Sequence, residues 1–312
     1  MCNYKVSTHY KAFGLTISSD IQLPELILTE IEVSAPDVVI AKTDLNAIWG
    51  NFKDSIQFFM VKENLVLFKV PNTAIFLIEN GNRILYMPID DCNEDEIRLF
   101  LLGTCMGAIL LMRKILPLHG SAIAINGKAY AIVGDSGAGK STLAAAFLKE
   151  GFQLLSDDII PIMLSQDNKP IVIPAYPQQK LWVESLHIFG MDSNLYQPIT
   201  QRESKFIIPI SSNYSSDPMP LAGIFELNVV DNESINTRIV NKLEQFELIY
   251  RHTYRNFFIS PLGRMNWHFQ TSGNIVSDIN SFQIERLKKS ANVNALQKLI
   301  LSIINKVPHE IN

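Results

Sequence analysis

The octapeptide Gly134-Asp135-Ser136-Gly137-Ala138-Gly139-Lys140-Ser141 constrains this chain more than any other stretch. It matches G-x-x-x-x-G-K-[ST] in full, and that pattern asks for an apolar strand running into the first glycine and a helix starting at the lysine. The sequence supplies both. Lys128–Val133 reads as the strand, and residues 140–149 read as a helix closed by Gly151. Glycines permit a loop whose backbone N–H groups point inward, and the helix N-terminus adds its positive end, so residues 134–142 form a candidate cradle for phosphate oxygens. In that reading Gly134, Asp135, Ser136, Gly137, Ala138, Gly139 and Thr142 surround a triphosphate. Lys140 meets its β- and γ-phosphates, and the Ser141 hydroxyl ligates Mg²⁺.

The loop leaves the reaction open, because one cradle serves hydrolases, switches and kinases alike. Two neighbouring features narrow it. Phe152–Leu155 reads as a strand that ends at Asp157-Asp158, about sixteen residues after Ser141, where a returning strand lies beside the loop. Adjacent strand side chains point to opposite faces, so one carboxylate is expected toward a metal and the other toward an acceptor. The competing reading is a solvated turn pair. His119, in Leu118-His119-Gly120, precedes a hairpin made of Ser121–Ile125, Asn126-Gly127 and Lys128–Val133. Pairing across that turn carries His119 to the same end as Gly134, where it could orient or tune an acid; taken alone, it reads as a structural histidine.

Upstream, short apolar runs at Phe13–Ile17, Val38–Ile40, Phe58–Val61, Leu65–Val70, Thr73–Ile78 and Arg83–Met87 read as strands. Asn80-Gly81 supplies the positive φ angles of a tight turn. Residues 1–90 are therefore expected to form a β-rich module, and 91–312 the domain that carries the loop. Leu99 to Met112 is apolar apart from Thr104, but a membrane span needs ~20 such residues. A buried helix at about 94–116, capped by Asn93 with Glu96 three residues on, is expected instead. Further strands are expected at Pro170–Pro174, Gly223–Val230 and Thr237–Val240, and helices near 244–251 and 294–306. In the last helix Leu296, Leu299, Ile300 and Ile303 share one face.

Composition excludes several classes. Of 312 residues 47% are hydrophobic and 19% charged, which suits a globular protein with a sizeable core rather than a disordered chain. A formal charge of -4 and singly scattered Lys and Arg argue against nucleic acid as a partner. Cys2, Cys92 and Cys105 are odd in number and far apart, which fits neither a disulfide framework nor a metal knuckle and suits the cytoplasm. The N-terminal residues lack the pattern of a secretory signal.

Leu118-His119-Gly120, the hairpin, Gly-Asp-Ser-Gly-Ala-Gly-Lys-Ser and Gly151-Phe152-x-Leu154-Leu155-Ser156-Asp157-Asp158 together resemble the catalytic core of HPr kinase/phosphorylase. The segments Tyr10–Leu15, Ser19-Asp20-Ile21, Leu23–Leu26 and Tyr176–Trp182 resemble the HPr-kinase homologues found with lasso-peptide biosynthesis, which phosphorylate the C-terminal serine of a precursor peptide. The resemblance implies an α/β fold with a P-loop core like the HPr kinase C-terminal domain, of PEP carboxykinase-like type, behind the β-rich N-terminal module. It implies ATP and Mg²⁺ as cofactors, a precursor peptide as partner, Asp157 as the base that takes the acceptor's proton, His119 as its modulator, and Asp158 with Ser141 on the metal.

Two departures stand out. HPr kinase has an acid directly after the loop serine where this chain has Thr142, and its downstream glycine-rich signature with a metal-binding glutamate is not found. Neither phosphorolysis nor HPr as partner is therefore expected. Lys180, Arg202, Lys205, Arg251, Arg255 and Arg264 are candidates to hold a carboxylate or the triphosphate, against a solvated-surface reading. Trp182 and Trp267 read as core. The leading expectation is a cytoplasmic serine kinase acting on a peptide; a small-molecule hydroxyl kinase and a nucleotide-dependent regulatory module remain alternatives. The sequence does not set the oligomeric state, and a homo-oligomer is compatible with it.

Overall fold

In the computed structural model, residues 7–29, 34–52, 58–89, 92–199, 202–210, 212–230, 235–287 and 293–306 are described. The apolar alternation of the first segment folds into eight strands: β1 (Thr8–Ala12), β2 (Leu15–Ser19), β3 (Ile27–Leu28), β4 (Val38–Lys42), β5 (Phe59–Lys62), β6 (Leu65–Val70), β7 (Ala74–Glu79) and β8 (Arg83–Pro88). They form one sheet in the order β3-β1-β2-β4-β8-β7-β6-β5. Its two faces bury alternate residues. Phe68, Phe76, Ile78 and Ile84 face one cluster, while Leu67, Ile75 and Leu77 face another with Leu45 and Trp49 of and beside helix α1 (Asn46–Gly50).

The first cluster is completed by the apolar segment that follows. It is helical from α2 (Glu94–Phe100) through a π turn at Leu101–Cys105 to α3 (Met106–Met112), and every residue from Leu101 to Met112 is buried. Asn93 caps it by accepting from the Asp95 N–H at 2.9 Å. The helix ends four residues before the expected limit of 116, because Lys114 takes a positive φ of 59° and Leu116 already pairs in a strand. Phe13 also departs from expectation. With Gly14 it forms the β1–β2 turn, at φ 57° and 72°, rather than part of a strand. Its ring is 1% exposed and packs edge-on to Tyr176, burial that offsets the left-handed backbone.

The second sheet starts from β9 (Leu116–Ile125), β10 (Lys128–Gly134), β11 (Gln153–Leu164) and β12 (Pro170–Val172). The chain then makes a small separate sheet of β13 (Gln178–Trp182), β14 (Gln197–Ile199) and β15 (Arg202–Pro209) before β16 (Met219–Val230), β17 (Asn236–Ile239) and β18 (Asn280–Leu287) rejoin the second. Its order is β10-β9-β11-β12-β16-β18-β17, and β16 also pairs in parallel with β10, which closes β9, β10, β16, β12 and β11 into a ring. Helices α4 (Lys140–Lys149), α6 (Lys242–His252), α7 (Met265–Asp278) and α8 (Val293–Lys306) flank it, while α5 (Val183–Phe189) packs on the small sheet. The aliphatic face of α8 packs through Leu296 and Ile300 into the cluster that holds Leu143 and Phe147 of α4. Among the described residues no helix is long and apolar enough to cross a membrane.

Candidate active site

The loop at 134–141 joins β10 to α4 with the geometry that its glycines allow. Gly134, Gly137 and Gly139 have φ of 148°, 83° and 93°. A Cβ on Gly134 would stand 2.5 Å from the Leu227 carbonyl oxygen on the parallel neighbour β16, so only glycine lets the loop leave its strand here. Lys140 folds back over the loop and donates to the Gly134 and Asp135 carbonyls at 2.8 and 3.0 Å. Burial pulls its ammonium below the ordinary lysine range, against the pull of Asp157 and Asp158. Arg286 of β18 braces the loop from outside, donating to the Ala138 carbonyl at 2.6 Å and the Gly137 carbonyl at 2.9 Å. Gln179 and Ser185 steady the first turn of α4, through the Ser141 carbonyl at 3.1 Å and the Thr142 hydroxyl at 2.7 Å.

Register brings the other candidates to the same end. In the β9–β10 hairpin Val133 pairs with Gly120, and on the other side of β9 Asp157, Asp158 and Ile159 face Ser121, Gly120 and His119. Contrary to the expected strand end at the acids, β11 runs through them to Leu164. Nor do the two carboxylates diverge. A left-handed φ of 77° at Asp158 breaks the regular alternation between the two, and both line one cleft.

Asp157, 5% exposed, accepts from the Ser121 hydroxyl at 2.5 Å through Oδ1 and from the Lys180 N–H at 3.0 Å through Oδ2. Asp158 accepts from Lys180 Nζ at 2.7 Å. Burial would raise the Asp158 carboxyl, but the Lys180 charge and hydrogen bond hold it well below the ordinary range. His119 Nδ1 lies 2.9 Å from the Asp158 carbonyl and 3.5 Å from its Oδ1. Burial lowers the imidazole from 6.5, and Lys140 nearby adds to that, so His119 is neutral at pH 7.

Loop, histidine and carboxylates line a single cleft of about 750 Å³. Of the basic candidates, Lys180, Lys205, Arg251 and Arg255 line it, while Arg264 is spent elsewhere on Asn64 and the Met112 carbonyl. Arg202 lies in β15, but its side chain is outside the described residues. Trp182 belongs to the cleft wall rather than the core, with Lys205 Nζ 5.6 Å above its ring. Sequence reasoning missed Ser121, Tyr254 and Arg286. Only the register of β9 against β11 could have pointed to Ser121; Tyr254 and Arg286 lie more than 110 residues from the loop in sequence and carry no local signal.

This is a mixed α/β protein whose second sheet ends in a strand, glycine-rich loop and helix beside a pair of carboxylates. No protein-family profile matches the chain. Over 111 residues it is 28% identical to the HPr kinase/phosphorylase of Lactobacillus gasseri. The match covers 33% of this chain and 34% of that protein, so the chain spans about a third of the length of the curated relative it matches. A solved structure of the HPr(Ser) kinase/phosphatase from Coxiella burnetii aligns over 61% of this chain and 91% of its own, with a TM-score of 0.34 and 13% identity.

Proposed function

We propose that this chain is an ATP-dependent serine kinase of the HPr-kinase type that acts in the cytoplasm on the C-terminal serine of a lasso-type precursor peptide. The observation that carries the reading is the convergence of Lys140, His119, Asp157 and Asp158 on one cleft at the mouth of the glycine-rich loop. The sequence similarity to HPr kinase/phosphorylase supports the same chemistry.

In this reading the loop N–H groups and Lys140 hold the β- and γ-phosphates, and Lys140 exchanges its two carbonyl partners for phosphate oxygens. The acceptor hydroxyl attacks the γ-phosphorus, the bond to the β-phosphate bridging oxygen breaks, ADP leaves, and the hydroxyl proton passes to Asp157. Two hydrogen bonds fix the Asp157 carboxylate, yet each oxygen keeps a second lone pair for that proton. Neutral His119 sits close enough to Asp158 to steady the pair without adding charge. The donors present fit Mg²⁺, which takes few protein ligands: the Ser141 hydroxyl and the Asp158 carboxylate would hold it beside the phosphates. Bound there, the ion would neutralise phosphate charge.

The test is intact-mass spectrometry of peptides, some ending in serine, after incubation with the protein, Mg²⁺ and ATP, beside a Lys140→Ala control. A phosphate mass gain confined to serine-ending peptides and absent in the control is expected. ATP binding with no gain on any peptide would end the peptide-kinase reading.

A further inference from the structure

The cations of the cleft are nearly all spoken for. Lys180 pairs with Asp158, Arg251 with Glu226, Lys140 and Arg286 bond loop carbonyls, and Lys205 lies over Trp182. Arg255 differs. Among the described residues it makes one hydrogen bond, from Nη2 to the Thr104 hydroxyl at 3.0 Å, and no ion pair. Its Nε is buried and has no hydrogen-bond partner. A guanidinium with a buried N–H left unpaired is costly unless something else meets it.

The surroundings are built to hold this side chain in place. Its backbone sits at φ 53° and ψ 46°, a left-handed conformation that a non-glycine residue keeps only when its surroundings enforce it. The guanidinium lies between the rings of Tyr254 and Phe59, at 5.6 and 6.0 Å. Tyr254 in turn docks where the buried helix carries glycines: a Cβ on Gly107 would stand 2.7 Å from its ring, and one on Gly103 3.2 Å from its hydroxyl. Thr104, which anchors Arg255, lies in the π turn of that helix, a distortion common at functional sites.

Position within the cleft says which ligand this group meets. From the loop, contacts lead through His119, whose ring is 5.7 Å from that of Tyr254, and then to Arg255. Arg255 thus stands past the carboxylates, beside the apolar wall of Leu99, Phe100 and Phe257. That is the acceptor's side of the cleft rather than the nucleotide's.

We infer that Arg255 binds a carboxylate on the acceptor, so the substrate class is a hydroxyl with a carboxylate close beside it. The inference rests on the kinase reading above. A planar guanidinium fork matches a carboxylate, and a serine at a free chain end carries both groups, as does a free hydroxy acid.

The experiment compares a pentapeptide ending in serine as the free acid, the same peptide as C-terminal amide, the peptide extended by one glycine, and free L-serine. Transfer is read by mass, and binding of fluorescently labelled acid and amide peptides is read by anisotropy in the presence of ADP. The wild type should prefer acid to amide by roughly 10-fold to 100-fold in kcat/KM and in binding. In Arg255→Gln the ratio should fall to near 1, while Arg255→Lys keeps part of it and the KM for ATP stays within about 2-fold. Efficient transfer to L-serine assigns the carboxylate to a free hydroxy acid; failure on it assigns the carboxylate to a chain end. Equal handling of acid and amide by the wild type, which requires no variant, would overturn the inference, as would an Arg255→Gln protein with a raised KM for ATP and an unchanged ratio. An Arg255-dependent preference in binding without transfer to any acceptor would keep the carboxylate site and remove the kinase reading.

Discussion

Lys180 Nζ stands 2.7 Å from Asp158 Oδ2, and the backbone N–H of the same lysine donates to Asp157 at 3.0 Å, so one residue of β13 sets both carboxylates. Its side chain is 8% exposed and that of Asp158 22%. Removing one partner of such a pair strands the other, at a cost of about 3–5 kcal/mol. Lys180→Met is therefore expected to lose that much stability at pH 7, measured by denaturant unfolding. The Asp158 carboxyl titrates below its unfolded value of 3.8, so the stabilisation is complete above that pH and fades as pH falls below it. The gap between wild type and Lys180→Met should narrow below pH 3.8; a constant gap would mean the lysine stabilises by packing alone.

Asp157→Asn separates chemistry from binding. An amide keeps the volume but cannot take the acceptor's proton, and losing a general base typically costs 10²- to 10⁴-fold in rate. Its amide keeps one acceptor oxygen in place of two, so either the Ser121 hydroxyl or the Lys180 N–H loses its acceptor, and a drop in stability of about 1–3 kcal/mol should accompany the change. Nucleotide affinity, measured by calorimetry, should stay near the wild-type value. Transfer within a few-fold of wild type would remove Asp157 from the base role.

Much of this arrangement was legible from the chain alone because it is local. The β9–β10 hairpin, α4 and the helices at α6 and α8 follow from turn residues, caps and apolar spacing within a few residues of each other. What could not be read is what depends on distant partners. α7, with Asn266, Thr271, Ser272, Gly273 and Asn274 in its sequence, is a poor helix by propensity and is held by packing against α6 and β12. Among the described residues strands β13 to β15 pair only with one another, and they reach the site through side chains far from the loop in sequence: Gln179, Lys180, Trp182 and Lys205. The irregular backbone at Asp158 defeated the period-2 rule at the position where the rule was asked to divide two roles.

Gly120 explains why a glycine follows His119. A Cβ there would stand 2.2 Å from the Ile132 carbonyl oxygen and 3.2 Å from Ile160 Cδ1, and β9 is held between β10 and β11 with no room to shift. Gly120→Ala should cost near the top of the roughly 1–3 kcal/mol range for overpacking. Gly127→Ala, in open space at φ 72°, should cost only about 1 kcal/mol of backbone strain. Thermal unfolding of the two variants gives the order, and equal losses would mean that the hairpin yields more readily than its pairing suggests.

His268 contributes to how the fold responds to acid. It is 4% exposed, and its Nε2 lies 2.8 Å from the hydroxyl of Thr253, which bridges to Leu118 next to His119. Burial lowers its pKa from 6.5 to about 4. Between those values the unfolded chain binds a proton that the folded chain refuses, so stability rises with pH and falls as pH drops from 6.5 toward 4. The shift corresponds to roughly 3 kcal/mol over that window. His268→Gln should flatten this slope, so that the stabilities of variant and wild type converge as the solution is acidified. A ring that titrates near 6.5 by NMR, or an acid slope unchanged in the variant, would show that the proton is accommodated without opening the Thr253 contact.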